Sequence, residues 1–148
     1  MALETTINAL AGCGVFAGLN DDQLRLLAFS SESKILHPGD ELFHEGEIAD
    51  GAFILIAGEL TIDHGAGRPV VIDEPFATVG ELALVAARPR PTTVRASSEA
   101  ELIFVPREGF KKLIELHPEV ASRMAARIRE SIARYLGALE PVRQRMRH

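Results

Sequence analysis

The chain has 148 residues, of which 47% are hydrophobic and 25% are charged. These values are typical of one folded domain and exclude a disordered or collagen-like chain. The formal net charge of −5 argues against a general electrostatic attraction to nucleic acid. The charge is unevenly distributed, because residues 1–120 hold nine basic and 19 acidic side chains, whereas residues 121–148 hold seven arginines and two glutamates.

The single cysteine, Cys13, excludes an internal disulfide and a cysteine-rich zinc site, and it is typical of a reducing compartment. It follows Leu10-Ala11-Gly12, which looks like a lipoprotein processing site. The residues before it lack the basic start and the unbroken apolar stretch of a signal peptide. The longest apolar run, at 52–57, is far below the ~20 residues of a membrane span. We therefore expect a cytoplasmic protein that does not contact a membrane.

Residues 1–33 are predicted to form N-terminal helices. Apolar residues recur at helical spacing from Leu3 to Leu10, and two glycines then interrupt the pattern. Asn20, followed three residues later by Gln23, has the capping-box pattern that begins a second helix.

Residues 34–106 change to short runs rich in Val, Ile, Phe and Thr, separated by turn residues. The runs are 34–36, 42–44, 53–56, 60–62, 70–72, 92–94 and 102–105, and residues 64–68 read as a hairpin tip. Strands that are this short and this regularly spaced predict a closed or rolled antiparallel β structure.

Residues 107–139 are predicted to be helical again, and residues 140–148 form a basic tail. A short helix around Phe110 and Leu113 is followed by a break at Pro118. A long helix then carries an apolar stripe from Val120 to Leu139, with arginines on its other faces. The stripe predicts that this helix covers its own β domain, a second copy of the chain, or both.

One segment within the β region is rich in helix formers. Residues 80–87 read Gly-Glu-Leu-Ala-Leu-Val-Ala-Ala and precede Arg-Pro-Arg-Pro. A helix of one or two turns there would expose backbone N–H groups that suit a phosphate. Arg90 could neutralise the phosphate in a forked geometry, and Glu81 could accept hydrogen bonds from sugar hydroxyls. The pattern therefore predicts a pocket for a phosphate and a ribose; the alternative is a structural Glu81–Arg90 ion pair with nothing bound.

Residues 80–84, followed by Arg90 and by Thr-Val-Arg-Ala at 93–96, strongly resemble the phosphate-binding cassette of cyclic nucleotide-binding domains. These are the sensor modules of catabolite activator protein and of the regulatory subunits of cAMP-dependent protein kinase. Pro-Gly-Asp at 38–40, Phe-His-Glu-Gly at 43–46, the Phe-Ile-Leu strand at 53–55 and Gly-Glu-Leu at 58–60 match the family in the same order. The resemblance covers residues 15–139.

The resemblance implies an α+β fold in one domain, 1–148. It has N-terminal helices, an antiparallel jelly-roll-like β-roll with a short phosphate-binding helix in a cassette at 79–94, and a long C-terminal helix. Glu81 would bind the ribose 2′-hydroxyl, Gly80 and Leu82 would offer backbone N–H groups, and Arg90 would pair with the cyclic phosphate of cAMP or cGMP. The domain would bind this ligand without converting it chemically, so we expect no enzyme activity and no catalytic cofactor.

The first departure from the family pattern is Pro91. Family members usually carry a small residue here, and its N–H meets a phosphate oxygen, but proline has no N–H. Losing one charge-assisted hydrogen bond costs roughly 1.5–3 kcal/mol, or about ten- to a hundredfold in affinity. The family often sets the choice between cAMP and cGMP with a hydroxyl at this point. The nearest hydroxyl, on Thr92, lies one residue later, so the choice stays open.

The second departure follows the long helix, which resembles the C-helix that closes over the base and dimerises in bacterial members. Tyr135 and Leu136 are the candidates to cap the base. Bacterial regulators continue into a helix-turn-helix domain, whereas nine residues follow Leu139 here. We therefore expect no sequence-specific DNA binding. The leading interpretation is a stand-alone sensor that moves its C-terminal helix to signal to an unknown effector protein or to a dimer mate.

Two other function classes remain open at this point. One is an interaction or dimerisation module that has kept the β-roll but lost its ligand, as Pro91 suggests. The other is a metal-dependent enzyme of the cupin type, suggested by His37, His44 and His64. Such sites need histidines at close strand spacing that face inward beside a carboxylate. Because His37 precedes a turn and His64 lies at a hairpin tip, we expect no metal site.

Overall fold

The computed structural model describes residues 3–63 and 68–130. Its helices are α1 (Leu3–Gly12), α2 (Asp21–Ser30), α3 (Arg107–Leu116) and α4 (118–130), with short 3₁₀ helices at Gly14–Phe16 and Glu81–Leu84. Its strands are β1 (Glu32–Leu36), β2 (Glu41–Phe43), β3 (Gly51–Ala57), β4 (Leu60–Asp63), β5 (Val70–Ile72), β6 (Thr78–Val79), β7 (Thr93–Ala96) and β8 (Ala100–Pro106). Within these described ranges, no helix is long and apolar enough to cross a membrane.

The strands form two antiparallel sheets of four strands each, with the orders β1-β8-β3-β6 and β2-β7-β4-β5. Side chains from both sheets share one hydrophobic core, made by Leu36, Leu42, Phe43, Phe53, Leu55, Leu60, Ile62, Val79, Val94, Ala96, Ala100 and Leu102. This architecture confirms the antiparallel β-roll with flanking helices that the sequence predicts.

Strand β3 separates this core from a second one, because successive side chains of a strand point to opposite faces. Phe53 and Leu55 pack between the sheets. Ala52 and Ile54 pack on the outer face, against the helices. Burial on both faces explains why the sequence of β3 is almost continuously apolar.

The N-terminal helices lie on that outer face. Helix α2 begins at the predicted capping box, in which the Asn20 side chain accepts a hydrogen bond from the Gln23 N–H and the Gln23 side chain accepts one from the Asn20 N–H. Leu10 of α1 and Leu27 of α2 are fully buried in the outer core. The helices therefore cover the sheet with the apolar faces that the sequence predicts.

Helix α4 packs on the N-terminal helices and contributes to the outer core Val120, Met124 and Ile128. The Arg123 side chain donates a hydrogen bond of 3.1 Å to the Gly18 carbonyl, and the Arg127 side chain donates one of 3.4 Å to the Gly14 carbonyl. The first part of the apolar stripe thus covers the chain's own domain. Tyr135 and Leu136 lie outside the described residues, as do residues 64–67 of the predicted hairpin tip and the tail.

The structure differs from the sequence expectation in several strand bounds and in three further details. Strand β6 was not predicted, because two residues are too few to show a period. Strand β1 begins at Glu32, earlier than predicted. Its first four residues are exposed and so show no apolar pattern, and only their backbone pairing with β8 places them in the strand. The break between the two C-terminal helices falls at His117, whereas the sequence predicted it at Pro118. Pro118 is instead the first residue of α4. Proline is tolerated there because the N–H groups of the first helical turn have no intrahelical partner.

Candidate functional site

A cavity of about 450 Å³ lies between the Glu81–Leu84 helix and the sheet β2-β7-β4-β5. All six residues that the sequence analysis proposed for the ligand line it: Gly80, Glu81, Leu82, Arg90, Pro91 and Thr92. The facing sheet contributes apolar side chains, among them Ile62, Ile72 and Val94. This volume and this mixture of an apolar wall with a few polar groups are typical of small-molecule sites.

The Glu81–Leu84 helix begins at Gly80, which has a φ of 75°. Glycine adopts this left-handed conformation without the steric penalty that a side chain would bring. A Cβ atom on Gly80 would also lie 2.5 Å from Nη1 of Arg90. The glycine therefore sets the helix start and leaves room for the arginine.

The helix itself is a single 3₁₀ turn, in line with the predicted one or two turns. The N–H of Ala83 donates to the Gly80 carbonyl, and the N–H of Val85 donates to the Leu82 carbonyl. Among the described residues, no backbone hydrogen bond outside the helices and strands uses the N–H of Leu82. Glu81 is half-buried and Leu82 is 39% exposed at the cavity wall.

Arg90 is the buried charge of the site, with 5% of its surface exposed. Its Nη2 donates a hydrogen bond of 2.8 Å to the Gly51 carbonyl and lies 3.7 Å from Oδ1 of Asp50. Its guanidinium lies over the Phe43 ring, 4.2 Å from the centroid. Burial lowers the pKa of Arg90 from its ordinary value, and the negative charges of Asp50 and Glu47 oppose that effect. These contacts fix a positive charge at the cavity wall.

The backbone around Arg90 is held by residues 46–49. The Arg90 N–H donates to the Glu47 carbonyl at 2.7 Å, and the Arg90 carbonyl accepts from the Gly46 N–H at 2.9 Å. The Ala49 N–H donates to the Arg88 carbonyl, also at 2.9 Å. The sequence did not predict the contacts of Arg90 with Asp50 and Gly51. Nothing in the sequence shows which distant side chains or carbonyl groups a buried arginine will meet.

Pro91 and Thr92 follow on the same stretch, with Pro91 exposed and Thr92 half-buried. Both line the cavity, so the departure from the family pattern at Pro91 lies at the candidate site. The Asp50 side chain, which lies 3.7 Å from Nη2 of Arg90, is 78% exposed.

A buried contact lies behind the cavity. Sγ of Cys13 is 2.6 Å from Oγ1 of Thr78, and Thr78 lines the cavity. Burial raises the pKa of the Cys13 thiol, which therefore stays protonated at neutral pH. The sequence does not predict this contact, because 65 positions separate the two residues.

The histidines considered for a metal site are not gathered in the described part of the chain. No group of three or more His, Cys, Asp or Glu residues there could hold a metal ion. Nδ1 of His44 lies 3.3 Å from a Glu41 carboxylate oxygen, with 57% of the His44 side chain exposed. His37 is exposed after the end of β1, and His64 lies outside the described residues.

Comparison with known proteins identifies the family. The family model described as the cyclic nucleotide-binding domain matches residues 33–117. The HTH-type transcriptional regulator Cmr of Mycobacterium tuberculosis is 33% identical over 135 residues, which cover 86% of this chain and 55% of Cmr. The chain thus spans about half the length of this relative.

Solved structures agree with this match. A cyclic nucleotide-binding-like protein from Brucella abortus is 39% identical, with a TM-score of 0.64 over 75% of this chain and 98% of that one. The N-terminal domain of a transcriptional regulator from Streptomyces coelicolor is 27% identical, with a TM-score of 0.72 over 88% and 94% of the two chains. At 21% identity and a TM-score of 0.79, cAMP-bound PfPKA-R shares the fold over 95% of this chain and 47% of its own. The chain therefore belongs to the cyclic nucleotide-binding domain family.

Proposed function

We propose that this domain is a sensor that binds cAMP or cGMP in the cavity beside the Glu81–Leu84 helix. The observation that carries the proposal is the buried Arg90 guanidinium, which lies against Gly80 at the wall of a cavity of about 450 Å³. A buried arginine presents a forked set of donors that matches two phosphate oxygens. Its position beside an apolar sheet suits a ligand with a phosphate at one end and a planar base at the other.

Each predicted residue has a proposed role in this complex. Arg90 pairs with the cyclic phosphate, and the N–H groups of Gly80 and Leu82 bind its oxygens. The Glu81 carboxylate accepts a hydrogen bond from the ribose 2′-hydroxyl. Pro91 supplies no N–H donor. Thr92, the next residue in the chain, carries a hydroxyl that is available to contact the base. The half-buried position of Glu81 at the start of the helix supports its role.

The proposed output is a movement of α4. A chain of contacts joins α4 to the cavity, since Arg127 bonds to the Gly14 carbonyl, and Cys13, next to Gly14, contacts the cavity residue Thr78. A ligand that fits one arrangement of these contacts better than another shifts the equilibrium between them. The stand-alone arrangement, the dimer through the C-terminal helix and the effector protein stay predictions.

The test is calorimetric titration of cAMP and of cGMP, separately, into the wild-type chain and three variants. Arg90→Lys keeps a charge but loses the fork, so we expect the dissociation constant to rise at least tenfold. Glu81→Ala removes the acceptor for the ribose hydroxyl and should raise it about tenfold or more. Arg95→Ala is the matched control, because Arg95 is half exposed and pairs with Glu41 away from the cavity lining.

Two results would contradict the proposal. One is equal binding by the wild type and by both pocket variants, because binding would then lie elsewhere. The other is silence of the wild type with both nucleotides up to millimolar concentration, which would favour the interaction module without a ligand. Thermal denaturation of each variant separates lost binding from lost folding, and hydrogen exchange of α4 with and without nucleotide tests the proposed movement.

A further inference from the structure

A second arginine, Arg88, lines the same cavity. The segment 88–90 is extended, because Pro89 forms an antiparallel bridge with Ile48 and the backbones of Arg88 and Arg90 bond to residues 46–49. Arg88 and Arg90 both line the cavity, and so does Pro89 between them.

The two arginines differ in their surroundings. Arg90 is buried and is held by the Gly51 carbonyl and the Phe43 ring. Arg88 is exposed, and no salt bridge within residues 3–63 and 68–130 involves it. Arg88 can therefore reach a ligand without first giving up an ion pair in this part of the chain.

The charges around the cavity point to the kind of ligand group that Arg88 meets. Among the described residues that line the cavity, the ionisable ones are Glu81, Arg88 and Arg90, so their net charge is about +1 when all are ionised. Without Arg88 this charge would be about zero. A cyclic phosphate is a diester with a single negative charge. Because Arg90 already lies 3.7 Å from the Asp50 carboxylate, Arg88 adds positive charge that this phosphate would otherwise lack.

Pro91 lines the wall of the cavity and, as a proline, has no N–H to offer a ligand. A guanidinium carries five N–H donors and pairs well with phosphate oxygens. Arg88, two residues before Arg90 at the same cavity, can provide a donor in place of that N–H.

We propose, resting on the proposed function, that Arg88 is a second phosphate-binding side chain that supplies the donor that Pro91 cannot. Arg90 forms the fixed side of the phosphate site, and Arg88 closes it from the exposed side. The pocket then recognises the phosphate through two arginines of unequal burial.

A double-mutant cycle tests this assignment, with cAMP and cGMP titrated separately by calorimetry. The proteins are the wild type, Arg88→Ala, Pro91→Ala and the double variant, with Arg95→Ala as a control for loss of an exposed positive charge. We expect Arg88→Ala to raise the dissociation constant about tenfold in the wild type. In the Pro91→Ala background, where an N–H is restored, the same change should raise it about threefold or less.

The salt dependence of binding gives a second readout, one that a purely structural role would not change. Affinity should fall less steeply with salt in Arg88→Ala than in the wild type, since one phosphate contact is gone. Arg95→Ala should keep the wild-type slope. Because Arg88 is exposed, Arg88→Ala should melt within about 1 °C of the wild type.

Two results overturn the assignment while leaving the proposed function intact. They are wild-type affinity in Arg88→Ala and an equal loss in both backgrounds. Silence of the wild type with both nucleotides would instead overturn the proposed function, and the role of Arg88 with it; binding by Pro91→Ala in that case would show that Arg88 does not replace the missing donor.

Discussion

Replacing Gly80 by alanine is the sharpest single perturbation that the structure offers. Gly80 has a φ of 75°, and an added Cβ would lie 2.5 Å from Nη1 of Arg90, closer than carbon and nitrogen can approach. The left-handed backbone alone costs a side chain roughly 1–2 kcal/mol. The guanidinium must also move, and this would loosen its hydrogen bond to the Gly51 carbonyl. A hydrogen bond to a charged group is worth about 1.5–3 kcal/mol.

Gly39→Ala provides the matched control. Gly39 has a φ of 92°, and no atom lies within 4 Å of the position that its Cβ would take. It should therefore show the backbone cost alone, roughly 1–2 kcal/mol. Gly80→Ala should lose about 1.5–3 kcal/mol more, which is about 3–12 °C of additional fall in Tm if each kcal/mol lowers Tm by ~2–4 °C in a chain of this size.

Denaturant unfolding and nucleotide titration of both variants measure the two effects separately. We expect Gly39→Ala to bind nucleotide as the wild type does, and Gly80→Ala to bind at least tenfold more weakly, because its Arg90 is displaced. Equal losses of stability in Gly80→Ala and Gly39→Ala, together with equal nucleotide affinities, would contradict the predicted clash with Arg90. Such a result would show that the guanidinium does not need the space above Gly80.

Three further outcomes follow from single contacts. Phe43→Leu removes the ring beneath the Arg90 guanidinium. It should weaken binding about fivefold to thirtyfold, which corresponds to the roughly 1–2 kcal/mol of a partly desolvated cation–π contact. Equal weakening in Phe104→Leu, whose ring lies against Phe53 instead, would count against this. Because burial raises the pKa of the Cys13 thiol, the unfolded chain loses this proton at a lower pH than the folded chain. Wild-type stability in denaturant should then fall above about pH 8.5, by at most ~1.4 kcal/mol per pH unit from this group, and Cys13→Ala should show a smaller fall; identical pH profiles would contradict the shift. Asn20→Ala removes the cap of α2 and should cost about 1 kcal/mol of unfolding free energy, with nucleotide affinity unchanged in titration; a loss below ~0.3 kcal/mol would show that the cap is not needed.

The elements that the sequence predicted well are those whose signal is local. The capping box at Asn20 needs only two residues three positions apart, and the structure contains it. The apolar runs that became β3 and β8 were visible because residues buried between two cores must be apolar along their whole length. Strand β6 was missed, since two residues carry no period and its position depends on pairing with β3.

The sequence alone predicted the β-roll, the short helix after Gly80 and six residues that line the cavity, because turn glycines, strand runs and helix formers act over a few residues. The contacts of Arg90 are visible only in the folded chain, because Phe43, Asp50 and Gly51 lie about 40 residues before it in the sequence. The same is true of the Cys13–Thr78 contact and of the place of Arg88 at the cavity. Contacts of this kind depend on how the two sheets and the helices pack, and a periodic pattern shows which face of an element is buried but not which distant residues it meets.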